Sequence, residues 1–379
     1  MAAIAAVLGL ALILVVLWDA FETVVLPRRV TRRVRLAKLF YRSTWLPWSA
    51  LARRMPPGKR RETYLGFYGP LSLPLLLSVW AGGLVFGFAL LHWSLGSPLK
   101  GSGGPPGFLT DLYLSGTTFS TLGIGDVVPR TPLARALTVL EAGTGFGFLA
   151  LVIGYLPVLY QSFSRREVNI SLLDARAGSP PAAGELLRRH SHENGMDALR
   201  ELLRDWERWA AELLESHLSY PVLAYFRSQH DNQSWLAALT TILDTSALVI
   251  TGVDGACERQ AELTFAMARH AVVDLAQVFG ASPRAPRADR LPPEDLQRLR
   301  VTLAASGLRL RENAAADERL AKLRRMYEPY VYSLGQFLQL TLPGWAVQAR
   351  RTDNWQTSAW ERAASVGAAL PGDTHDDHS

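Results

Sequence analysis

Three long apolar runs lie within the first 163 positions, separated by a basic stretch and a glycine-rich loop. Residues 1–18 carry no charge, and the run reaches Leu26 with only Asp19 and Glu22 inside it. Residues 63–99 contain no Asp, Glu, Lys or Arg, and residues 132–163 contain only Arg135 and Glu141. At about 1.5 Å of rise per residue, roughly 20 apolar residues cross a hydrocarbon core, so each run predicts a transmembrane helix. The first run lacks a basic start and is followed by its basic cluster, which predicts an uncleaved anchor rather than a signal peptide.

Beyond residue 163 the pattern becomes amphipathic. Leu199, Leu202, Leu203, Trp206, Ala210, Leu213 and Leu214 fall on one helical stripe. Residues 235–253 are apolar apart from Asp244 and follow Ser234, a good N-cap; amphipathic flanks make this a buried core helix rather than a fourth span. Further helices are expected at 258–279, 293–310 and 314–340, the last broken near Pro329, with a Pro/Arg linker at 280–293. The expected organisation is an anchor helix at 1–27, a basic interfacial segment at 28–62, a membrane module at 63–163, a helical cytoplasmic domain at 164–351 and a disordered tail at 352–379.

Charge orients this arrangement. Residues 1–163 hold 15 Lys and Arg against 6 Asp and Glu, whereas the rest of the 379 residues hold 25 against 28. Twelve of the basic residues fall between Thr23 and Arg61 with no acid among them. By the positive-inside rule that stretch is cytoplasmic, the N-terminus and residues 95–128 face outward, and the region from Arg165 onward is cytoplasmic, in a plasma membrane. Arg29, Arg32, Arg35 and Lys38 recur at every third position, and Phe40, Tyr41, Trp45 and Trp48 follow them. A helix lying on the inner leaflet is expected, with those four cations contacting anionic lipid; the adjoining spans argue against nucleic acid. Asp19 and Glu22 are expected to pair with Arg28, Arg29 and Arg32.

The single cysteine, Cys257, excludes an intrachain disulfide and a cysteine zinc site. No acid, base and nucleophile converge and no Gly-rich phosphate fingerprint is present, so an enzyme and an organic cofactor are not expected. His190 and His192, with Glu193, read as a solvated loop rather than a metal pair, and no regulatory ligand is named by the residues.

Between the second and third runs, residues 108–119 form a moderately apolar segment too short to cross, which fits a re-entrant half-helix. Ser120-Thr121-Leu122-Gly123-Ile124-Gly125-Asp126 follows. Glycines alternating with branched residues let successive carbonyls point one way, and rings of such oxygens can replace the hydration shell of a monovalent cation.

These residues resemble the two-helix pore module of the potassium-channel family, over roughly residues 63–163. The resemblance rests on the T-x-G-x-G-D core at Thr121–Asp126, the lead-in Thr117-Thr118-Phe119-Ser120 and the flanking spans. It implies an outer helix at 64–94, a pore helix at 108–120, a filter at 121–126 and an inner helix at 132–163. Potassium would bind at Thr121, Leu122, Gly123, Ile124 and Gly125, Asp126 would ring the outer mouth, and Thr117 and Glu141 would support the filter. A salt bridge from Glu141 to Arg130 or Arg135 is the alternative. One filter per chain implies a homotetramer. Gly145 matches the family's inner-helix hinge glycine, with close packing the competing role; Leu149 and Ile153 would line the cavity and Pro157 the inner constriction. Leu122 and Ile124 replace the usual valine and tyrosine, and Tyr113 stands where a tryptophan pair is common.

The expected fold is therefore an all-α membrane protein: a tetrameric pore-loop channel with three transmembrane helices per chain, a re-entrant pore helix and an α-helical cytoplasmic domain. A weakly selective cation channel, and a membrane-anchored scaffold with a vestigial pore, are the alternatives.

Overall fold

The computed structural model describes residues 1–26, 35–100, 107–192, 194–229, 232–253 and 257–346. It is mainly helical and divides into two compact units: Met1–Ser162 with Ser219–Phe226, and Phe163–Leu218 with the described residues from Arg227 onward.

In the first unit, α1 (Ala2–Ala20) lies along α3 (Lys59–Leu95). Small residues set this approach: a Cβ on Gly9 would meet the Gly87 carbonyl oxygen at 2.7 Å, and Ile13 fills the space over Gly87. Asp19 sits beneath this contact, buried, with Oδ2 accepting from Trp80 Nε1 and from the Ala37 backbone N–H, each at 3.0 Å. Asp19 thereby caps α2 (Leu36–Arg54) from another helix. Glu22 accepts from Trp18 Nε1 at 2.8 Å and lies 3.6 Å from Arg35 Nε, while Arg35 Nη2 donates to Thr23 Oγ1 at 3.0 Å. The partners expected for the two acids, Arg28, Arg29 and Arg32, lie outside the described residues.

The aromatic residues of α2 turn inward rather than toward lipid, which corrects the expectation for that helix. Phe40 joins the core with Val16, Leu76 and Trp80. Tyr41, Trp45 and Tyr68 surround Tyr225, with ring centroids 5.7, 5.0 and 5.1 Å away. Lys38, Leu39, Arg42 and Leu46 remain on the exposed face. Large planar rings bury more area against each other than against a headgroup layer, so the protein claims them.

Two helix ends depart from the expected boundaries. α3 starts at Lys59, taking the last basic residues of the 28–62 segment into its first turn. α5 runs from Pro132 to Ala177, well past residue 163. Pro157 lies inside it, since one missing donor does not end a helix whose other bonds hold. Three helices of this unit are long and apolar enough to cross a membrane, with best windows of mean hydropathy 2.5, 2.0 and 1.8. Val7, Leu8, Leu14, Leu71 and Leu75 are exposed on them, the surface that lipid requires.

The second unit packs its helices around one buried apolar helix. Here α8 (Trp235–Gly252) also has the length and hydropathy of a span, yet every one of its residues is buried. It is enclosed by α6 (Ala183–Arg189), α9 (Glu258–Phe279), α11 (Ala314–Arg325) and α12 (Glu328–Leu338). Ser234 Oγ caps it, accepting from the Ala237 N–H at 3.0 Å. Its one charge, Asp244, receives Arg290 Nη2 at 2.6 Å and the Tyr327 hydroxyl, and Arg290 also reaches Glu328 at 3.3 Å. Residues 280–292 are therefore more than a linker: Arg290 anchors them to the core, because a buried carboxylate must be paired. The helix α10 (Pro293–Ala305) stops five residues before the expected end, where Gly307 takes a left-handed φ of 92°.

On α7 (Gly195–Ser219) the predicted apolar stripe is buried and ends in His217, which is fully enclosed. His217 Nδ1 donates to the Leu213 carbonyl at 2.8 Å, leaving Nε2 to accept from Arg166 Nη1 at 3.3 Å. Burial first, and the Arg166 cation second, hold His217 well below its ordinary pKa. The unfolded chain binds this proton more readily, so the stabilisation is complete above the unfolded value near 6.5 and is lost as pH falls through it. Thermal unfolding of the protein is expected to drop by several degrees between about pH 8 and about pH 5, and His217→Gln to flatten that slope; an unchanged slope in the variant would assign the acid sensitivity elsewhere.

Candidate functional site

The chain after α3 turns back on itself. β1 (Leu99–Lys100) pairs antiparallel with β2 (Val128–Pro129), so the segment between them leaves from and returns to one place. Within it, α4 (Phe108–Phe119) has 12 residues, about 18 Å of helix and too short to cross a bilayer. Phe108 is held edge-on by Phe86 and Trp93 of α3 at 5.3 and 5.9 Å. Asp111 in the first turn complements the helix dipole.

Thr121–Asp126 hangs from the C-terminal end of α4. The Thr117 carbonyl accepts from the N–H groups of Leu122 and Gly123 at 2.9 and 3.1 Å, and the Thr118 carbonyl from Thr121 N–H at 3.0 Å. Thr117 thus meets residues 121–126 through its backbone, while its hydroxyl bonds the Leu114 carbonyl. Thr121, Gly123 and Gly125 have φ of 57°, 52° and 78°, so every second residue is left-handed. Glycine takes that conformation without strain; Thr121 takes it against its Cβ. Residues 121–126 are all exposed on this chain, with the apolar Leu122 and Ile124 at 64% and 57%. Asp126 ends the segment in two bonds: Tyr113 Oη donates to its Oδ2 at 2.9 Å, and Val127 N–H to its Oδ1 at 3.0 Å.

Behind α4 lies a buried polar cluster drawn from three helices. Glu141 of α5 is fully enclosed, with Oε2 3.1 Å from His92 Nε2 of α3 and Oε1 in contact with Ser115 Oγ of α4. Ser115 Oγ also lies 2.7 Å from the Val85 carbonyl oxygen. The expected Glu141 salt bridge to Arg130 or Arg135 is replaced by this cluster; Arg135 Nε instead donates to the Pro129 carbonyl at 3.1 Å. A carboxylate at membrane depth takes the partners nearest to it, and those come from the helices packed against α5.

On α5, Gly145 faces the end of α4, where a Cβ would lie 2.0 Å from the Phe119 carbonyl oxygen. Close approach of two backbones therefore requires glycine here. Leu149, Ile153 and Pro157 are exposed along the same helix. Of the four cations expected at lipid, Lys38 is exposed, Arg35 is engaged with Thr23 and Glu22, and Arg29 and Arg32 lie outside the described residues. Among the described residues no group of three His, Cys, Asp or Glu could hold a metal ion; His190 is buried against the Leu186 carbonyl at 2.8 Å, and Glu193 lies outside them.

Sequence reasoning missed three members of this site: His92, Ser115 and the bond from Tyr113 to Asp126. His92 was discoverable, being the one histidine in the uncharged run 63–99. Ser115 carried no signal apart from its place on the half-helix.

Residues 75–161 match a family model described as an ion channel. An uncharacterized membrane protein, YdjJ, of Bacillus subtilis (strain 168) is 25% identical over 194 residues, 50% of this chain and 55% of that protein. The chain thus spans about half the length of the curated relative it matches. No solved structure matches it. The family match and the apolar helices agree on a membrane protein with an ion-channel segment, which points to transport rather than catalysis.

The Gly145 contact makes a direct prediction. Gly145→Ala should destabilise the detergent-solubilised protein by about 1–3 kcal/mol, as overpacking does, lowering its unfolding midpoint. Gly154→Ala, with no atom within 4 Å of the added Cβ, should be neutral or slightly stabilising. Equal effects from the two would remove the packing role of Gly145.

Proposed function

We propose that this chain is a subunit of a potassium-preferring channel, a homotetramer passing K+ passively through a filter at Thr121–Gly125. The observation that carries the reading is the re-entrant element: a half-helix followed by an exposed segment with left-handed φ at every second residue, anchored on the Thr117 carbonyl. Irregular backbone at membrane depth is tolerated only inside protein or along a watery path. Leu122 and Ile124, exposed on a single chain, need cover from neighbouring copies, and the outward Val139, Leu140 and Phe146 of α5 offer more surface to bury. Four copies around one axis satisfy both needs and close the carbonyl rings.

In this reading Asp126 concentrates cations at the outer mouth, with Tyr113 fixing its carboxylate. Leu149 and Ile153 line the cavity, and the turn around Pro157 forms the inner constriction. The basic residues up to Arg61 face the cytoplasm, which puts the N-terminus outside, the filter on the outer side and the second unit inside, at the plasma membrane. Exposed Lys38 and Arg42 on α2 then meet anionic headgroups, each adding about 1 kcal/mol near the surface. The second unit acts on the inner helices in response to a stimulus the geometry does not name.

A weakly selective cation channel is the second reading, favoured by Ile124, whose side chain offers no hydrogen bond to brace the filter. The reversal potential of the purified protein in a planar bilayer, with potassium on one side and sodium on the other, separates the two. A value near the potassium limit is expected; one near zero selects the weakly selective pore. Gly123→Ala, strained at a φ of 52°, should abolish conduction. Protein that is silent in both forms, at varied pH and lipid composition, would leave the scaffold alternative.

A further inference from the structure

Pro157 interrupts the bonding of α5 at one place. Proline has no N–H to give the Ile153 carbonyl, so the turn between them is where this 46-residue helix bends most easily. Helical residues two apart project about 200° from each other, which puts Tyr155 on the face opposite Ile153 and Pro157. Burial follows that division: Ile153 and Pro157 are exposed, whereas Tyr155 is buried. Residues 219–226, far along the chain, cover the back of the turn. Tyr220 meets Tyr155 edge-on with ring centroids 5.6 Å apart, and Phe226 meets Tyr160 edge-on at 6.1 Å. The same residues are fixed to α2 and α3, through Tyr225 among Tyr41, Trp45 and Tyr68 and through Phe226 over Gly69.

Its own bonds hold this stretch weakly. Pro221–Tyr225 is a single 3₁₀ turn, with the Leu223 N–H on the Tyr220 carbonyl at 3.0 Å and the Phe226 N–H on the Leu223 carbonyl at 3.1 Å. Five residues do not make a helix that stands alone, so side-chain packing keeps the turn in place. Both of its ends run into helices of the second unit, α7 directly and α8 through residues 227–234. We propose that residues 219–226 are a strap that sets the inner constriction. Seated, the strap braces the back of the Pro157 turn against α2 and α3. Drawn off by the second unit, it leaves that turn free to bend and the constriction free to widen. The effect on ion flow rests on the channel reading; the brace itself rests on the contacts of Tyr220 and Phe226. Neither side chain lies on the exposed face of α5, and both act as positioning residues.

A reporter on α5 tests the brace without requiring conduction. In full-length protein carrying Cys257→Ser and Ile153→Cys, the rate at which a charged, water-soluble methanethiosulfonate reagent modifies position 153 reads access to the turn. Tyr220→Ala and Phe226→Ala should each raise that rate roughly 2- to 12-fold, the factor one aromatic pair carries. Tyr220→Phe keeps the ring and should keep the original rate. Gly69→Ala reaches the strap from α3: its Cβ would meet the Phe226 ring at 2.7 Å, so it should also raise the rate and serves where truncation of Phe226 prevents folding. Gly82→Ala, on the same helix with nothing within 4 Å of the added Cβ, should not. In bilayers, Tyr220→Ala and Gly69→Ala should raise open probability by a similar factor and leave the potassium–sodium reversal potential where it was. An unchanged labelling rate in Tyr220→Ala and Gly69→Ala would overturn the proposal, as would a rate raised equally by Gly82→Ala or a reversal potential that moves with open probability. Silent bilayers in every variant would overturn the channel reading instead, and the labelling rates would still decide the strap.

Discussion

A polar group at membrane depth has no water to bond, so it must be answered by another group of the protein. The first unit is organised around that constraint. Asp19 is satisfied by the Trp80 indole and by an otherwise orphaned N–H at the start of α2, which ties α1 and α3 to α2. Glu141 is satisfied by side chains from α3 and α4. Leu122 and Gly123 place their N–H groups on one carbonyl, that of Thr117, and so the irregular segment is held by the end of a helix. In each case the polar bond joins elements whose apolar faces supply no orientation of their own, because hydrocarbon packs equally well at many angles. Small residues at Gly9, Gly87 and Gly145 then let the backbones come close enough for the bonds to form.

The second unit is organised around burial of apolar surface instead. There the apolar surface must be hidden, and α8 is hidden completely, with amphipathic α7 and α9 turning their polar faces outward. The same composition that makes α8 long and apolar enough to span makes it a suitable core. Asp244 marks the difference: it sits mid-helix, matched by Arg290, with the Tyr327 ring stacked edge-on to Phe265 close by. Arg290 also lies against Trp345, 5.6 Å from its ring centroid, so the charge is shielded as well as paired.

The eight residues Ser219–Phe226 belong to the first unit although α7 and α8 on either side of them belong to the second. Tyr225 stands among Tyr41, Trp45 and Tyr68, Tyr220 lies 5.6 Å from Tyr155, and Phe226 approaches Gly69 so closely that a Cβ there would meet its ring at 2.7 Å. One short stretch thus contacts α2, α3 and α5 at once. A boundary drawn from composition at residue 163 assigns these residues to the wrong side, since nothing in their own polarity marks the company they keep.

Periodicity and charge were enough to place three long apolar helices in the first part of the chain, though not their ends, to predict helix rather than strand after residue 163, and to mark residues 108–119 as a short helix. Those features are local: a run of uncharged residues or a stripe at 3.6-residue spacing carries its own physical consequence. The alternation of Gly123 and Gly125 with Leu122 and Ile124, and the short length of residues 108–119, follow from neighbours along the chain. The partners of Asp19 and Glu141, the inward turn of the α2 aromatics and the placement of Ser219–Phe226 do not. Each depends on which surfaces meet across tens or hundreds of positions, and a buried polar or aromatic group binds whatever the packing of apolar helices brings within reach. Residue types alone determined that such groups needed partners; only the tertiary structure decided which, because that choice is made by distance in space rather than distance along the chain.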